Sequence, residues 1–419
     1  MSASANKATS LWVLRRLRAA GHKALFAGGC VRDMLLGRAP GDYDIATDAT
    51  PDQVRRLFPH VLLVGAKFGV AMVIHNRRRV EVTTFRSDLS YSDGRRPEGV
   101  VFSSPREDAL RRDFTINGMF FDPIAGEVID YVGGREDLAR RVIRTIGSAH
   151  DRLGEDYLRM VRAVRFAVRL GFALDADTAG AIRELAPKIT SISGERIFDE
   201  LSKMLSIASA GAALAMLDEL GLARAILPEL FEKKELWPAA VARVRHVAEE
   251  ADLTLVLAAL LCELPPKVIR GIIRRWGASN ELLEALCWMA KHLDGWRTAA
   301  DAPPHEFKPI AAGRHFDRLR RLWRAREEAV SGGQAQSRRI ARRLGAIPPG
   351  QLAPPPLVTG SDLARMGLPE GPRVGRVLKE LYNAQLDDEK MTRRDALAMA
   401  HRLVDKSESR STKSETGFQ

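Results

Sequence analysis

The first third of the chain alternates short apolar runs with turn residues. Four of these runs have the length and pattern of β-strands, and they lie at Ala24–Ala27, 43–46, Val70–His75 and 79–85. Ahead of them, apolar residues at helical spacing predict an opening helix whose buried face carries Leu11, Val13, Leu14 and Leu17. A small mixed sheet with accompanying helices is therefore predicted up to about residue 147.

The remaining two-thirds of the chain has a helical pattern. After Arg152, long amphipathic segments rich in Ala, Leu, Arg and Glu follow one another. Proline and glycine breaks divide these segments, and Pro354-Pro355-Pro356 is the firmest boundary. The pattern as a whole predicts an α+β protein whose sheet domain comes first and whose remainder is helical.

The composition narrows the choice of partner and compartment. The 419 residues include 65 Lys+Arg against 53 Asp+Glu, a formal net charge of +12, which favours a polyanion such as RNA, DNA or nucleotides. Cys30, Cys262 and Cys287 are far apart, so we expect neither a disulfide framework nor a zinc site. No apolar run approaches the roughly 18 residues of a membrane span. We predict a soluble protein of the cytoplasm.

A glycine turn separates the first strand from a helix that should begin near Val31. Its sequence is Gly28-Gly29-Cys30-Val31-Arg32-Asp33. Adjacent glycines let backbone N–H groups approach a phosphate, and a helix start adds partial positive charge. Arg32 would supply a forked donor for phosphate oxygens. The motif predicts a phosphate-binding turn formed by Gly28, Gly29 and Arg32, with a purely structural turn as the alternative.

Two aspartates follow in Gly41-Asp42-Tyr43-Asp44-Ile45-Ala46. On a strand, side chains alternate, so Asp42 and Asp44 would lie on one face. Neighbouring like charges favour a bound cation, and such oxygen-rich sites suit Mg²⁺ that bridges carboxylates to substrate phosphates. We interpret Asp42 and Asp44 as catalytic metal ligands. Two exposed aspartates on a turn are the alternative.

A third acid, Glu81, belongs to the run at 79–85. Val80 and Val82 should face one side of this strand, and Glu81 and Thr83 the other. If the two strands are neighbours, Glu81 would join the aspartates at a catalytic site. Two metal ions held there would activate an RNA 3′-hydroxyl and steady a departing pyrophosphate. A glutamate of an edge strand that faces solvent is the alternative.

Four linked motifs resemble one enzyme family. They are Gly-Gly-x-Val-Arg-Asp, then Asp-x-Asp-Ile-Ala-Thr, then Arg111-Arg112-Asp113-Phe114-Thr115-Ile116-Asn117, and finally the segment 155–166. In order and spacing they resemble the class II CCA-adding tRNA nucleotidyltransferases and bacterial poly(A) polymerases. The resemblance is specific over about the first 200 residues. Farther on, 358–372 is similar to a segment of the CCA-adding branch.

The resemblance implies a domain order and an activity. It implies a polymerase-beta-like nucleotidyltransferase head at 1–148, a helical neck that recognises the nucleobase at 149–210, a helical RNA-binding body at 211–330 and a tRNA-binding helical tail at 331–419. The implied activity adds C, C and A to tRNA 3′ ends from CTP and ATP, without a nucleic-acid template and with Mg²⁺. Polyadenylation or addition of A alone is the alternative within the family, and a non-catalytic RNA-binding protein is the alternative outside it.

Asp156 and Arg159 are the candidates for base recognition. Three residues apart, they would share one face of a helix. Cytosine and adenine each present an amino donor beside a ring acceptor, which an Asp/Arg pair complements, whereas uracil and guanine would leave buried groups unpaired. An ordinary surface salt bridge is the alternative. By resemblance, further nucleotide contacts come from Gly29, Arg32, Arg112, Arg162 and Arg165.

Two more segments refine the comparison with the family. The polar stretch at 91–100 is predicted to be a mobile loop, and it resembles the loop with which the family switches from CTP to ATP; an inert solvated loop is the alternative.

Some members of the family also carry a phosphohydrolase domain built on paired His-Asp ligands. Here the chain has Leu261-Cys262-Glu263, and His246 is isolated in the sequence, so we expect no second metal centre and a helix-surface position for His246.

Overall fold

The computed structural model describes residues 3–63, 69–88 and 99–415. Its strands are β1 Ala24–Ala27, β2 Ile45–Thr47, β3 Val61–Leu62, β4 Val70–His75, β5 Arg78–Thr84, β6 Arg86–Asp88, β7 Val100–Phe102, β8 Phe120–Asp122, β9 Glu127–Ile129, β10 Val142–Ile143 and β11 Ala173–Leu174. The helices up to the middle of the chain are α1 Ala3–Ala19, α2 Gly29–Leu35, α3 Pro51–Leu57, α4 Pro105–Leu110, α5 Gly134–Arg140, α6 Ala149–Glu155, α7 Leu158–Leu170, α8 Ala176–Leu185, α9 Gly194–Leu205, α10 Ala210–Glu219 and α11 Leu222–Ile226.

The second half is helical throughout the described part of the chain. It contains α12 Leu236–Val247, α13 Leu253–Leu261, α14 Pro266–Arg275, α15 Asn280–Lys291, α16 Pro304–Ala311, α17 Phe316–Ser331, α18 Ala335–Ala346, α19 Pro349–Leu352, α20 Gly360–Arg365, α21 Pro372–Asp387 and α22 Arg393–Glu415. The α+β class with a sheet domain followed by helices is thus confirmed. One departure is β11, which pairs in parallel with β10 and so ties the start of the helical part to the sheet domain.

A seven-stranded mixed sheet organises the first part of the chain, in the order β3-β4-β5-β2-β1-β8-β9. Within it, β2 lies parallel to β5, with Ile45 opposite Val82, and antiparallel to β1, with Ile45 opposite Phe26. These three side chains belong to the main hydrophobic core, and α1 packs beside them. Leu25 and Ala46 point the opposite way into a second, smaller cluster. Both faces of the central strands are therefore covered, as their short apolar sequences require.

The strand predictions agree closely with this sheet. The runs at Ala24–Ala27 and Val70–His75 form β1 and β4 with the expected bounds, and the run at 79–85 forms β5 one residue earlier. The run at 43–46 was placed too early, because β2 begins only at Ile45. The preceding backbone still follows β1, since the N–H of Ala27 donates to the carbonyl of Asp44 at 3.0 Å.

The opening helix is also confirmed. It is α1, and its Val13, Leu14 and Leu17 are fully buried under the sheet, while Leu11 is half-buried. His246 is exposed on α12 as predicted, but it is not isolated, because its Nδ1 lies 3.0 Å from Oε2 of Glu328.

The end of the chain packs around a core of its own. Its buried apolar residues run from Val358 to Val404 and form a cluster separate from the main core, whose last buried member is Ile340. The predicted proline boundary lies between the two cores, and the carbonyl of Pro354 accepts a hydrogen bond from the Tyr382 hydroxyl at 3.0 Å. Among the described helices, none is long and apolar enough to cross a bilayer.

Candidate active site

A cleft of about 520 Å³ lies between the sheet domain and the helices α7 and α9. Every residue that we predicted to contact a nucleotide lines it, namely Gly28, Gly29, Arg32, Arg112, Asp156, Arg159, Arg162 and Arg165. Asp44 and Glu81 line it as well, whereas Asp42 does not. These residues come from segments more than a hundred residues apart in the sequence, and the fold brings them together around one cleft.

The glycine turn approaches an arginine so closely that a side chain would not fit. Gly28 has φ of 74°, a conformation that L side chains rarely adopt. A Cβ added there would lie 2.9 Å from Nη1 of Arg112, whereas one added at Gly29 would be an ordinary 3.6 Å from Nη2 of Arg32. The turn therefore holds its backbone directly against two guanidinium groups at the wall of the cleft.

The two aspartates lie in an extended segment just before β2 rather than within a strand. Alternation nevertheless holds, because Asp42 and Asp44 are exposed while Tyr43 between them is buried against Phe26, with ring centroids 5.2 Å apart. The two carboxylates therefore lie on the same exposed side, as expected, because the buried ring of Tyr43 fixes the orientation of the segment between them. The strand assignment itself was wrong.

Glu81 is placed beside Asp44 by the parallel pairing of β2 with β5. Ile45 stands opposite Val82, so the residues before each of them, Asp44 and Glu81, fall at the same level. The pKa of Asp44 is raised to about 6, first by burial of its carboxyl group, although the residue as a whole is exposed. The charge of Glu81 raises it further, against the opposing charge of Arg112. Asp42 adds a smaller repulsion in the same direction. A concentration of negative charge at this point is the electrostatic condition under which a cation binds.

Among the described residues, the acids of the cleft do not form a complete metal cluster. Over the described ranges, no group of three or more His, Cys, Asp or Glu side chains is arranged to hold a metal ion. Asp42 and Asp44 fit a divalent cation because hard oxygen ligands on one exposed side are what such ions prefer. Glu81 acts on Asp44 through its charge and is not gathered with both aspartates.

Buried acids hold the arginines of the cleft in position. Asp108 is fully buried and accepts from both Arg111, at 2.6 Å, and Arg112, at 2.9 Å. These two arginines lower the pKa of Asp108 against the raising effect of its burial. Because both guanidiniums are oriented by one carboxylate, Arg112 keeps a fixed position next to the Gly28 turn.

A second chain of hydrogen bonds crosses from the sheet domain to α7. Nη1 of Arg32 donates to Oδ1 of Asn117 at 2.8 Å, and Nδ2 of Asn117 donates to Oδ1 of Asp113 at 3.1 Å. Arg162 on α7 then donates to Oδ2 of Asp113 at 2.6 Å. Burial raises the pKa of Asp113, but Arg162 and Asn117 outweigh it and bring the value to about 2. Helix α7 is thereby fixed to the side of the cleft formed by Arg32 and Asn117.

The predicted base-reading pair does not share one helix. Asp156 terminates α6, whereas Arg159 belongs to the first turn of α7, so the chain bends between them. Asp156 pairs instead with Arg196 of α9, at 2.7 Å between Oδ2 and Nη2. Arg159 bonds to Glu155 and, at 2.8 Å, to the carbonyl of Arg152. Both residues still line the cleft.

Comparison with known proteins identifies the protein family. The family description "Poly A polymerase head domain" matches residues 24–144, and "Probable RNA and SrmB- binding site of polymerase A" matches residues 171–234. The CCA-adding enzyme of Geobacillus kaustophilus is 40% identical over 91% of this chain and 93% of its own length. The chain belongs to the CCA-adding enzyme family. Template-independent nucleotidyl transfer is the activity of this family.

Further members of the CCA-adding enzyme family support the assignment. The CCA-adding enzyme of Geobacillus stearothermophilus is 39% identical over 91% of this chain and 93% of its own. A crystal structure of the Bacillus stearothermophilus CCA-adding enzyme in complex with CTP superposes with a TM-score of 0.75, at 33% identity, over 96% of this chain and 98% of that one. The similarity extends over the helical half as well as the sheet domain.

Several residues that line the cleft or hold its arginines were not anticipated from the sequence. Asn117, Asp113 and Asp108 sit within or beside the Arg111–Asn117 motif, so the motif itself was the signal that could have found them. Arg196 and Glu200 lie four residues apart on α9, outside the four motifs. The packing of α9 against α7 brings Arg196 to the cleft and Glu200 to Arg165. Glu200 is buried, accepts from Arg165 and lies 3.6 Å from Arg162.

Proposed function

We propose that this chain adds C, C and A to the 3′ ends of tRNA, using CTP and ATP and no nucleic-acid template. The observation that carries the proposal is that one cleft contains both a phosphate-side group, with Gly28 and Asp44, and a base-side pair, Asp156 and Arg159. Protein groups alone would thus supply both the reacting site and the recognition of the base. The CCA-adding enzymes that this chain resembles along most of its length support the same activity.

Asp42 and Asp44 are the proposed ligands of a divalent metal. Nucleotidyltransferases of this family generally use divalent metals, and we propose Mg²⁺ because it prefers carboxylates and substrate phosphates together. When bound, the ion stabilises negative charge on the reacting phosphate and on the departing pyrophosphate. Glu81 contributes by keeping the potential at Asp44 negative. We propose that Glu81 is a catalytic residue beside these two ligands, because its charge acts directly on Asp44.

The remaining cleft residues bind and orient the nucleotide. Backbone groups of the Gly28–Gly29 turn, with Arg32 and Arg112, are proposed to hold the triphosphate, because two guanidiniums already flank that turn. Arg162 and Arg165 on α7 extend this positive wall toward the sugar and base. The bond that forms joins the RNA 3′-oxygen to the α-phosphorus, the α–β phosphoanhydride bond breaks, and pyrophosphate leaves.

Base choice is proposed to rest on Asp156 and Arg159. The carboxylate would accept from the amino group of cytosine or adenine, and the guanidinium would donate to the neighbouring ring nitrogen. Arg196 keeps the Asp156 carboxylate oriented from the other side, and the N–H of Leu158 also donates to it at 3.1 Å. Uracil and guanine would place an acceptor against the carboxylate and a donor against the guanidinium. Buried polar atoms would then remain unpaired.

The domain division remains part of the proposal. A head at 1–148 would carry the chemistry, a neck at 149–210 the base-reading residues, and a body at 211–330 with a tail at 331–419 the grip on tRNA. A separate hydrophobic core at the end of the chain supports an individual tail unit.

The predicted loop at 91–100 lies largely outside the described residues. A cytoplasmic location stays a prediction, and the three cysteines are free.

The decisive experiment sequences the products of the reaction. Purified protein is given a tRNA that lacks its terminal CCA, with CTP, ATP, both together, or UTP and GTP. We expect addition of C, C and A and then a stop when CTP and ATP are both present. A long tract of A would support polyadenylation instead, and addition of a single A only to tRNA ending in CC would indicate an A-adding enzyme.

A further inference from the structure

The arginines of the cleft are almost all held by partners within the protein. Five of them contact an acid or an amide side chain, in the pairs Arg32–Asn117, Arg112–Asp108, Arg162–Asp113, Arg165–Glu200 and Arg196–Asp156. Three more, Arg86, Arg111 and Arg159, also have partners. A guanidinium held in this way is oriented, and part of its hydrogen-bonding capacity is already used.

Arg169 is different. It stands in the last turn of α7, it is exposed, and it lines the cleft. Within the described ranges, no hydrogen bond or ion pair joins its guanidinium to another residue. Its five N–H donors are therefore available to a group that enters the cleft, and arginine forks match phosphate oxygens in geometry as well as in charge.

The position of Arg169 along α7 indicates which group it meets. With a rise of 1.5 Å per residue, it lies about 15 Å beyond Arg159, at the other end of the stretch of α7 that lines the cleft. Phe166, one turn before it, packs under Arg32 of the phosphate-binding turn, with 5.2 Å from the guanidinium carbon to the ring centroid. A nucleotide whose base lies at Asp156 would extend its phosphates toward Phe166 and then Arg169.

We infer that Arg169 binds the terminal phosphates of the nucleoside triphosphate and of the departing pyrophosphate. This inference rests on the proposed function for the direction in which the nucleotide lies. The phosphates of an RNA strand share the same chemistry, but the alignment with Arg32 and the Gly28 turn favours the triphosphate. A cation at a helix C-terminus also stabilises the helix through its dipole, so the test must separate binding from stability.

The test measures binding without any RNA or turnover. Dissociation constants of inorganic tripolyphosphate and CTP are measured by calorimetry for the wild type, Arg169→Gln and Arg169→Lys. We expect Arg169→Gln to weaken both by about tenfold, the scale of one charge-assisted hydrogen-bonded contact, and Arg169→Lys by less because the charge remains. Arg274→Gln is the matched control, since Arg274 is also an exposed arginine in a last turn, on α14, and does not line the cleft.

Steady-state kinetics then distinguish the source of the phosphate. We expect Arg169→Gln to raise the KM for CTP and ATP and the inhibition constant of pyrophosphate together, with the KM for tRNA unchanged. An increase confined to the KM for tRNA would overturn the assignment and give Arg169 to the RNA strand. Unchanged binding of tripolyphosphate and CTP would overturn it too, whatever nucleotide the enzyme adds. Failure of the wild type to add C, C and A, with tripolyphosphate binding still lost in Arg169→Gln, would count against the proposed function alone.

Discussion

Arg162 of α7 and Asp113 of the sheet domain form a hydrogen-bonded ion pair, with 2.6 Å between Nη2 and Oδ2 and a second bond of 3.0 Å from Nε. The pair joins two segments 49 residues apart across the base of the cleft. Asp113 is nearly buried, so the bond is shielded from water on the side of the carboxylate. The geometry of the cleft therefore depends on an ion pair whose strength varies with pH.

Substitution of Asp113 should alter the pH dependence of stability. The pKa of Asp113 is lowered to about 2 in the folded protein, so its charged form stabilises the fold above the ordinary aspartate pKa of about 3.9 and this contribution is lost as pH falls toward 2. We expect Asp113→Asn to cost roughly 2 kcal/mol at pH 7 and progressively less between pH 4 and pH 2.5. Urea unfolding at these pH values measures the difference. Asp151→Asn, at an exposed position on α6, is the control, and a cost that stays constant with pH would contradict the assignment.

Removal of either proposed metal ligand should stop the reaction without releasing the RNA. Asp44→Ala and Asp42→Ala are expected to lower incorporation of CTP by at least about a thousandfold, because the reacting phosphate loses its cation. Binding of tRNA, measured by filter retention, should change little, since the proposed tRNA-binding surface lies in the helices at 211–419. Asp48→Ala is a matched control because Asp48 is an exposed aspartate after the same strand. Full incorporation by Asp44→Ala would refute the mechanism.

Asp156→Asn should relax the choice of base. An amide presents donors where the carboxylate only accepts, so the carbonyl groups of uracil and guanine gain a partner. We expect the preference for CTP over UTP, as a ratio of kcat/KM, to fall by about tenfold or more. Competition between labelled CTP and UTP measures the ratio directly. Asp177→Asn, exposed at the start of α8, should leave it unchanged. An unaltered ratio in Asp156→Asn would remove the base-reading role from this residue.

Gly28→Ala should damage nucleotide binding beyond its effect on stability. The new Cβ would meet Nη1 of Arg112 at 2.9 Å and would also force alanine into a positive φ. We expect a KM for CTP about tenfold higher, together with a stability loss of about 1 kcal/mol from the backbone conformation. Gly37→Ala is the control, because Gly37 has φ of 68° with no atom near the added Cβ. Equal effects of the two substitutions on the KM would show that Arg112 is not positioned by this turn.

Sequence patterns predicted the elements of the sheet well because their causes are local. Strand β4 and helix α1 were recovered from apolar periodicity, which reflects only which face of a segment is buried. The start of β2 was misplaced because Asp42 and Asp44 continue the alternation of the strand, although β2 begins only at Ile45. The break between α6 and α7 was missed because the residues on either side of it are all compatible with a helix.

The order of the chemical groups along the chain follows from the sequence: a glycine turn, two acids, an arginine motif and the segment with Asp156 and Arg159. The partner of each polar side chain follows from the packing instead, such as Arg196 for Asp156, 40 residues away, and Asn117 for Arg32, 85 residues away. A buried polar group must find a partner once water is removed, and which group it meets depends on how the helices pack rather than on the residues beside it.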